Sequence, residues 1–206
     1  MIVDRMGRYI IVTGSPGAGK TAITSGAGPK DLPRKLRLVN VGTLMLEEAR
    51  KLKYTDDRDR IRYMDPKHMG RIRKLAFSKL AKMSGDIVVD THDYVEENGR
   101  FIPGMPERLL LQLSKIEAFI YVDAPEVELL SRRRKDKTRK REIEDPGLLG
   151  IQRMLNLSAL SYYSSTLDIP VYVIENRTGF LNESIKKYAS IVKEVLAEKN
   201  PKVQKK

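Results

Sequence analysis

The stretch RYIIVTGSPGAGKT, residues 8–21, joins an aliphatic run to a glycine-dense loop that ends in Lys-Thr. Its last eight residues fit G-x-x-x-x-G-K-[ST] at every fixed position. Glycines permit backbone angles that turn successive N–H groups toward an anion, and a following helix N-terminus adds a favourable dipole. The alternative is a plain glycine turn before a helix, which the preceding strand makes the weaker interpretation. The stretch predicts a phosphate-binding loop formed by Gly14, Ser15, Pro16, Gly17, Ala18, Gly19, Lys20 and Thr21.

Two side chains of this loop carry most of its chemistry. Lys20 is expected to bridge the terminal phosphates of a nucleotide, and the Thr21 hydroxyl can ligate magnesium. A second magnesium anchor is expected at the end of a neighbouring buried strand, where DIVVD supplies Asp90. A turn or a helix cap is the alternative role for Asp90. Beside a phosphate loop, we favour a link to the metal through a water molecule.

The composition is that of a globular protein with an anionic partner. The chain has 206 residues, 41% hydrophobic and 32% charged, which suits one domain. Its apolar runs are too short to span a bilayer and its first residues do not resemble a signal peptide, so we expect a cytoplasmic protein. The absence of cysteine and the presence of only two histidines exclude disulfides, zinc-thiolate sites and histidine-rich metal sites. The net charge of +12 does not distinguish nucleic acid, a membrane surface or nucleotide phosphates.

Five short β-branched or aliphatic runs alternate with helical patterns. Such runs are typical of strands covered on both faces, so we expect an α/β fold with a parallel sheet between two layers of helices. The segment 25–35, with two glycines and two prolines, should shorten or break the helix that follows the phosphate loop. The predicted strands are residues 8–14, 36–42, 86–91, 118–124 and 170–176.

A basic segment follows the fourth predicted strand. Residues 131–142 contain eight basic side chains. Arginines that close over a transferring phosphoryl group stabilise its charge and exclude water, so the segment predicts a lid, with a bend near Thr138. A solvated helix face or a patch for RNA phosphates is the alternative. The lid candidates are Arg132, Arg133, Arg139 and Arg141.

A phosphate acceptor needs its own anion clamp. The segment between the second and third predicted strands contains DDRDRIR. In it, Arg58 and Arg62 lie four residues apart and could project from one side of a helix. An exposed, ion-paired helix start is the alternative. A guanine-reading NKxD segment does not occur in the chain, which weighs against a regulatory GTPase.

Taken together, these motifs resemble those of the archaeal type of adenylate kinase, a branch of the nucleoside monophosphate kinase family. The resemblance rests on VTGSPGAGKT, VNVGTLMLEEARKLKYTDDRDRIR, VVDTHDYVEENGRFIPGMP, RRRKDKTRKREIE and VIENRTG, in this order. It implies a three-layer P-loop fold with five parallel strands, in one domain 1–206 with an acceptor-binding insertion at about 43–83 and a lid at about 131–146. It also implies reversible transfer of phosphate from MgATP to AMP, giving two ADP.

The same resemblance implies roles for further residues. Asn176 and Gly179 would lie near the ATP adenine, and the stretch 91–95, with Thr91 and His92, would line the AMP site together with a loop at 99–106. In-line transfer to a phosphate needs no histidine base, so His92 is expected to position or pack. Members of this branch are often trimers, so a homotrimer is one option.

Two alternatives to this function stay open at the sequence level. One is a kinase for another nucleoside monophosphate, CMP or UMP. The other is an ATP-regulated RNA- or ribosome-binding factor, favoured by the net charge and the KVQKK terminus. Because the basic residues concentrate where nucleotide phosphates should lie, we do not expect a nucleic-acid partner.

Overall fold

A five-stranded parallel sheet forms the centre of the molecule. The computed structural model describes residues 6–33, 35–97, 99–135 and 146–197, the side chains of residues 59 and 62 excepted. The strands are β1 Arg8–Gly14, β2 Arg37–Asn40, β3 Asp86–Asp90, β4 Tyr94–Glu97, β5 Arg100–Pro103, β6 Ile116–Asp123 and β7 Val171–Glu175. The large sheet has the order β2-β3-β1-β6-β7, and every neighbouring pair in it is parallel. The predicted α/β fold with five parallel strands is therefore confirmed.

Helices cover both faces of this sheet. They are α1 Lys20–Gly26, α2 Val41–Lys51, α3 Pro66–Ala81, α4 Glu107–Leu110, α5 Glu126–Lys135, α6 Pro146–Leu167 and α7 Leu181–Ala197. Because side chains alternate along a strand, Ile10 and Val12 of β1 pack on α1 and α7, whereas Tyr9 and Ile11 pack on α3 and α4. Among the described residues, no helix combines the length and the apolarity that crossing a membrane requires.

Helix boundaries follow local sequence signals. As expected, α1 is short and ends at Gly26, where the glycine- and proline-rich segment begins. Helix α3 starts with Pro66 in its first turn, capped by the Asp65 side chain, which accepts a hydrogen bond from the Lys67 N–H.

Three features differ from the sequence expectation. The second strand ends at Asn40 rather than residue 42, because the Asn40 side chain caps α2 and starts the helix at Val41. The antiparallel hairpin of β4 and β5 was not predicted. A 3-10 helix at Asp59–Tyr63 lies between α2 and α3.

Candidate active site

The phosphate loop connects β1 to α1 at the carboxyl edge of the sheet. Gly19 has a φ of 88°, a left-handed conformation that favours glycine. At Gly14 a side chain would stand 2.0 Å from the Val122 carbonyl oxygen, so only glycine lets the chain leave β1 this close to β6. The Ala18 N–H donates to the Ser15 carbonyl oxygen at 3.0 Å, which closes the loop on itself. The predicted loop between strand and helix is thus present.

Lys20 and Asp90 form a buried ion pair beside this loop. The Lys20 Nζ atom lies 3.3 Å from the Asp90 Oδ1 atom, and the two side chains are 9% and 7% exposed. Asp90 stands opposite Val12 in the register of β1 and β3. The candidate phosphate ligand and the candidate magnesium anchor are therefore adjacent.

Asn40 connects this ion pair to the acceptor side. Asn40 and Asp90 are opposite each other in the register of β2 and β3. The Asn40 Nδ2 group donates to the Asp90 Oδ2 atom at 2.8 Å, and its Oδ1 atom accepts from the Arg58 guanidinium at 2.9 Å. The Arg58 guanidinium also lies against Gly42, where an added Cβ would be 2.6 Å from Nη2. Arg58 thus lies at the same carboxyl edge of the sheet as the phosphate loop and Lys20.

The expected helix at the acceptor clamp is a 3-10 helix. Arg58 occupies the N-cap position without a side-chain capping bond, and Arg62 lies within the helix, although the side chain of Arg62 is outside the described residues. With three residues per turn, positions four apart are separated by roughly one and a third turns. The 3-10 geometry therefore separates the two positions around the helix more than an α-helix would, so the two side chains would have to converge through their length.

The segment after β3 is held against the loop that follows β5. Thr91 is buried, and its N–H donates to the Val12 carbonyl oxygen at 3.0 Å. A side chain at Gly104 would come within 2.2 Å of the His92 carbonyl oxygen, and the Gly104 N–H donates to the Asp93 carbonyl oxygen at 2.7 Å. These contacts join His92 and Asp93 to Gly104 and attach Thr91 to the end of β1.

Asp93 is a buried carboxyl group next to these residues. Burial raises the pKa of Asp93 to about 7, and the Thr13 hydroxyl and the charge of Lys20 only partly oppose the rise. The Thr13 hydroxyl group lies near this carboxyl group, but the two do not have the geometry of an ordinary hydrogen bond. Asp93 is therefore poorly solvated close to the phosphate loop.

A second polar network ties the phosphate loop to α6. The Ser15 hydroxyl donates to the Asp123 Oδ1 atom at 2.9 Å and lies 3.0 Å from the Tyr121 hydroxyl. The Arg153 guanidinium donates to the Asp123 Oδ2 atom at 2.6 and 3.1 Å. This pair of short, charge-assisted bonds fixes α6 relative to the loop.

Arg132 and Asn176 form the opposite side of the site. The Asn176 Nδ2 group donates to the Ala18 carbonyl oxygen at 2.8 Å, so the end of β7 is attached to the phosphate loop. Arg132 donates to Glu128 at 2.6 Å, to the Asn176 carbonyl oxygen at 2.8 Å and to the Thr178 hydroxyl at 3.2 Å. A hydrogen bond from Thr178 lowers the pKa of Glu128, which keeps that carboxylate charged beside Arg132. Arg132 thus braces the loop after β7.

The remaining candidates are placed only in part. The aliphatic part of Arg133 packs over Gly17, where an added Cβ would be 2.9 Å from Cγ. Gly179 has a φ of 88°, and the space beside it is open. Arg139, Arg141 and the expected bend near Thr138 lie outside the described residues.

Three residues of this site were not singled out from the sequence: Asn40, Asp93 and Arg153. Asn40 carried a detectable signal, because asparagine directly before a helical pattern is a preferred N-cap residue. Asp93 and Arg153 carried none, since their importance depends on partners far away in the chain.

Comparison with known proteins gives consistent matches. Residues 13–147 match the family described as an AAA domain. The adenylate kinase of Methanocaldococcus jannaschii is 31% identical over 191 residues, which cover 90% of this chain and 98% of that protein. The adenylate kinase of Methanococcus aeolicus is 33% identical over 190 residues, with coverage of 90% and 98%.

Solved structures support the fold. A shikimate kinase from Bacteroides thetaiotaomicron superposes with a TM-score of 0.55 at 12% identity, covering 90% of this chain and 98% of that one. A shikimate kinase from Acinetobacter baumannii in complex with shikimate gives a TM-score of 0.53 at 19% identity, with coverage of 93% and 94%. The phosphate loop, the buried lysine and the sequence relatives are consistent with one another. The chain belongs to the archaeal adenylate kinase branch of the P-loop nucleoside monophosphate kinases.

Proposed function

We propose that this protein catalyses reversible phosphoryl transfer from MgATP to AMP, giving two ADP. One observation carries the proposal: the lysine of the donor loop and an arginine on the acceptor side belong to one chain of polar contacts, Lys20 to Asp90 to Asn40 to Arg58. A kinase for a phosphorylated acceptor needs cationic groups on both sides of the transferred group. The sequence relatives named adenylate kinase support AMP as the acceptor.

On the donor side, the phosphate loop Gly14–Thr21 would hold the ATP phosphates through its N–H groups and Lys20. Arg133 lies against Gly17 and Arg132 braces the loop after β7, which supports a role for both at the nucleotide phosphates. Asn176 and Gly179 would border the adenine.

Magnesium fits the residues that would hold it. Within the described residues, the buried Asp90 Oδ1 atom accepts no hydrogen bond, and the Lys20 ammonium group lies 3.3 Å from it. A carboxylate oxygen with spare lone pairs suits Mg²⁺, which keeps several waters and binds phosphate oxygens. Thr21 and Asp90 would hold the ion, which supplies charge neutralisation at the phosphates when bound.

On the acceptor side, Arg58 and Arg62 would bind the AMP phosphate, and Thr91 and His92 would line the nucleoside. The AMP phosphate is largely ionised at neutral pH, so its oxygen attacks without a general base. The γ-phosphorus forms a bond to that oxygen and its bond to the β–γ bridging oxygen breaks. The side chains contribute positioning and charge stabilisation. The catalytic set is Lys20, Arg132, Arg133, Arg139 and Arg141.

A panel of acceptors tests the proposal. ADP or nucleoside diphosphate formation from MgATP is measured with AMP, CMP, UMP and GMP at equal concentration, with a control lacking acceptor. We expect strong preference for AMP, because a base pocket that hydrogen-bonds one base leaves buried groups unpaired with another. Turnover with CMP or UMP instead would keep the mechanism and change the acceptor. ATP binding without any transfer would contradict the proposal and favour the RNA-binding alternative.

Three expectations from the sequence remain predictions. These are the cytoplasmic location, the homotrimer, and the division of the chain into a core with insertions at about 43–83 and 131–146.

A further inference from the structure

The amide group of Asn40 contacts both halves of the site at once. Its Nδ2 group donates to Asp90 at 2.8 Å, and its Oδ1 atom accepts from Arg58 at 2.9 Å. The same Oδ1 atom accepts from the Thr43 N–H at 3.0 Å, which is the N-terminal cap of α2. One planar group thus connects β3, the first turn of α2 and the acceptor-side arginine.

Only one orientation of this amide satisfies its neighbours. In the observed orientation the oxygen faces two donors, the Thr43 N–H and the Arg58 guanidinium, while the NH₂ group faces the Asp90 carboxylate. The flipped amide would set N–H groups against two donors and an oxygen against a carboxylate. The cap therefore fixes the orientation in which Asn40 can hold Arg58 and Asp90.

We propose that Asn40 is a positioning residue that aligns the acceptor phosphate with the donor phosphates. It acts by holding Arg58 and Asp90 at a set separation. This inference rests on the proposed function, since it assigns Arg58 to the acceptor and Asp90 to the donor side. The guanidinium is further confined because it lies against Gly42, which has no side chain to displace it.

Other side chains cannot replace both contacts. Aspartate has only acceptor oxygens, so it could keep Arg58 and the cap but would face the Asp90 carboxylate with like charge. Serine is a good cap but its single short hydroxyl cannot reach both partners. The two substitutions therefore separate the functions of the amide.

The main experiment compares steady-state kinetics of the wild type and Asn40→Ser, varying each substrate in turn. The acceptor is the monophosphate that the wild type uses in the panel. We expect the acceptor KM to rise roughly 10-fold, because a hydrogen bond to a charged group is lost, while the MgATP KM changes by less than about 2-fold. Asp65→Ser is the matched control, since it changes an exposed cap of α3, and it should leave both KM values unchanged.

A double variant distinguishes positioning from a purely structural effect. If Asn40 acts through Arg58, the acceptor KM of Asn40→Ser/Arg58→Ala should equal that of Arg58→Ala alone. An unchanged acceptor KM in Asn40→Ser, or effects that multiply in the double variant, would overturn the proposal.

Asn40→Asp provides a second measurement if Asn40→Ser does not fold. It should lower kcat while the acceptor KM stays within about 3-fold. The reason is that Arg58 keeps an acceptor oxygen at position 40, whereas Asp90 loses the hydrogen bond from the Asn40 amide. Unchanged kcat, or a large rise in both KM values, would contradict the proposal. A failure of the proposed function would show separately, as a wild type that transfers to no monophosphate.

Discussion

At the scale of one residue, the Asp93 carboxyl group is buried away from water, unlike that of an ordinary exposed aspartate. Its carboxyl group is buried three residues beyond Asp90, and its pKa is raised from 3.8 to about 7, mainly by burial. The Lys20 charge opposes this rise but does not cancel it, since Lys20 is paired with Asp90. Between about pH 4 and pH 7, the native state therefore keeps a proton at Asp93 that the unfolded chain releases.

Asp93 should make the protein less stable as the pH rises. Because its pKa is higher in the folded state than in the unfolded chain, its contribution is fully present below about pH 4 and is lost progressively up to about pH 7. An amide side chain at this position does not titrate, so Asp93→Asn should raise the melting temperature at pH 8 more than at pH 5. Melting curves at both pH values measure this difference. An equal shift at the two values would show that Asp93 is ionised in the native state.

At the scale of elements, the first turn of α2 accommodates Arg58 because residue 42 is glycine. An added Cβ would be 2.6 Å from the far end of the Arg58 side chain, which can move away. Gly42→Ala should leave stability unchanged or raise it by up to about 1 kcal/mol, because alanine favours the helix. The displaced guanidinium should raise the acceptor KM roughly 10-fold.

Gly70→Ala in α3 is the control for this prediction. A Cβ at Gly70 meets no atom within 4 Å, so this variant makes the same helical substitution without touching Arg58. Melting curves and acceptor KM are measured for both variants. A similar acceptor KM in both would show that Arg58 does not depend on the space at Gly42.

The elements differ in how well the sequence predicted them. The central strands β1, β3 and β6 were recognisable because burial on both faces demands continuous aliphatic runs. The edge strands β2 and β7 are more exposed but were recognisable from similar short apolar runs. The hairpin strands were missed because each has only four residues and mixes charged with apolar side chains. The phosphate loop was predicted completely from a local motif. Asn40 could be recognised from the sequence as a helix N-cap, but its contacts with Arg58 and Asp90 could not, because these partners lie 18 and 50 residues away in the chain.

At the scale of the whole molecule, the phosphate loop lies between two arginines to which the proposed function assigns different substrates. Arg58 reaches the site from the acceptor side through Asn40, whereas Arg132 braces the segment after β7. Arg58→Ala should raise the AMP KM roughly 10-fold or more with little change in the MgATP KM. Arg132→Ala should raise the MgATP KM roughly 10-fold or more with little change in the AMP KM.

Steady-state kinetics with each substrate varied in turn measure this pattern. Arg50→Ala serves as the control, because Arg50 is an exposed residue of α2 that pairs with Asp56. Equal changes of both KM values in both variants would contradict the assignment of the two sides.

The most direct test of the central claim follows the γ-phosphoryl group itself. The protein is incubated with γ-³²P-labelled ATP and magnesium, with and without AMP, and the products are separated. The account predicts that label appears in ADP only when AMP is present, with little release as inorganic phosphate. Lys20→Ala should reduce this transfer by on the order of 100-fold while remaining folded. Label released as inorganic phosphate, or absent from ADP in the presence of AMP, would contradict the account.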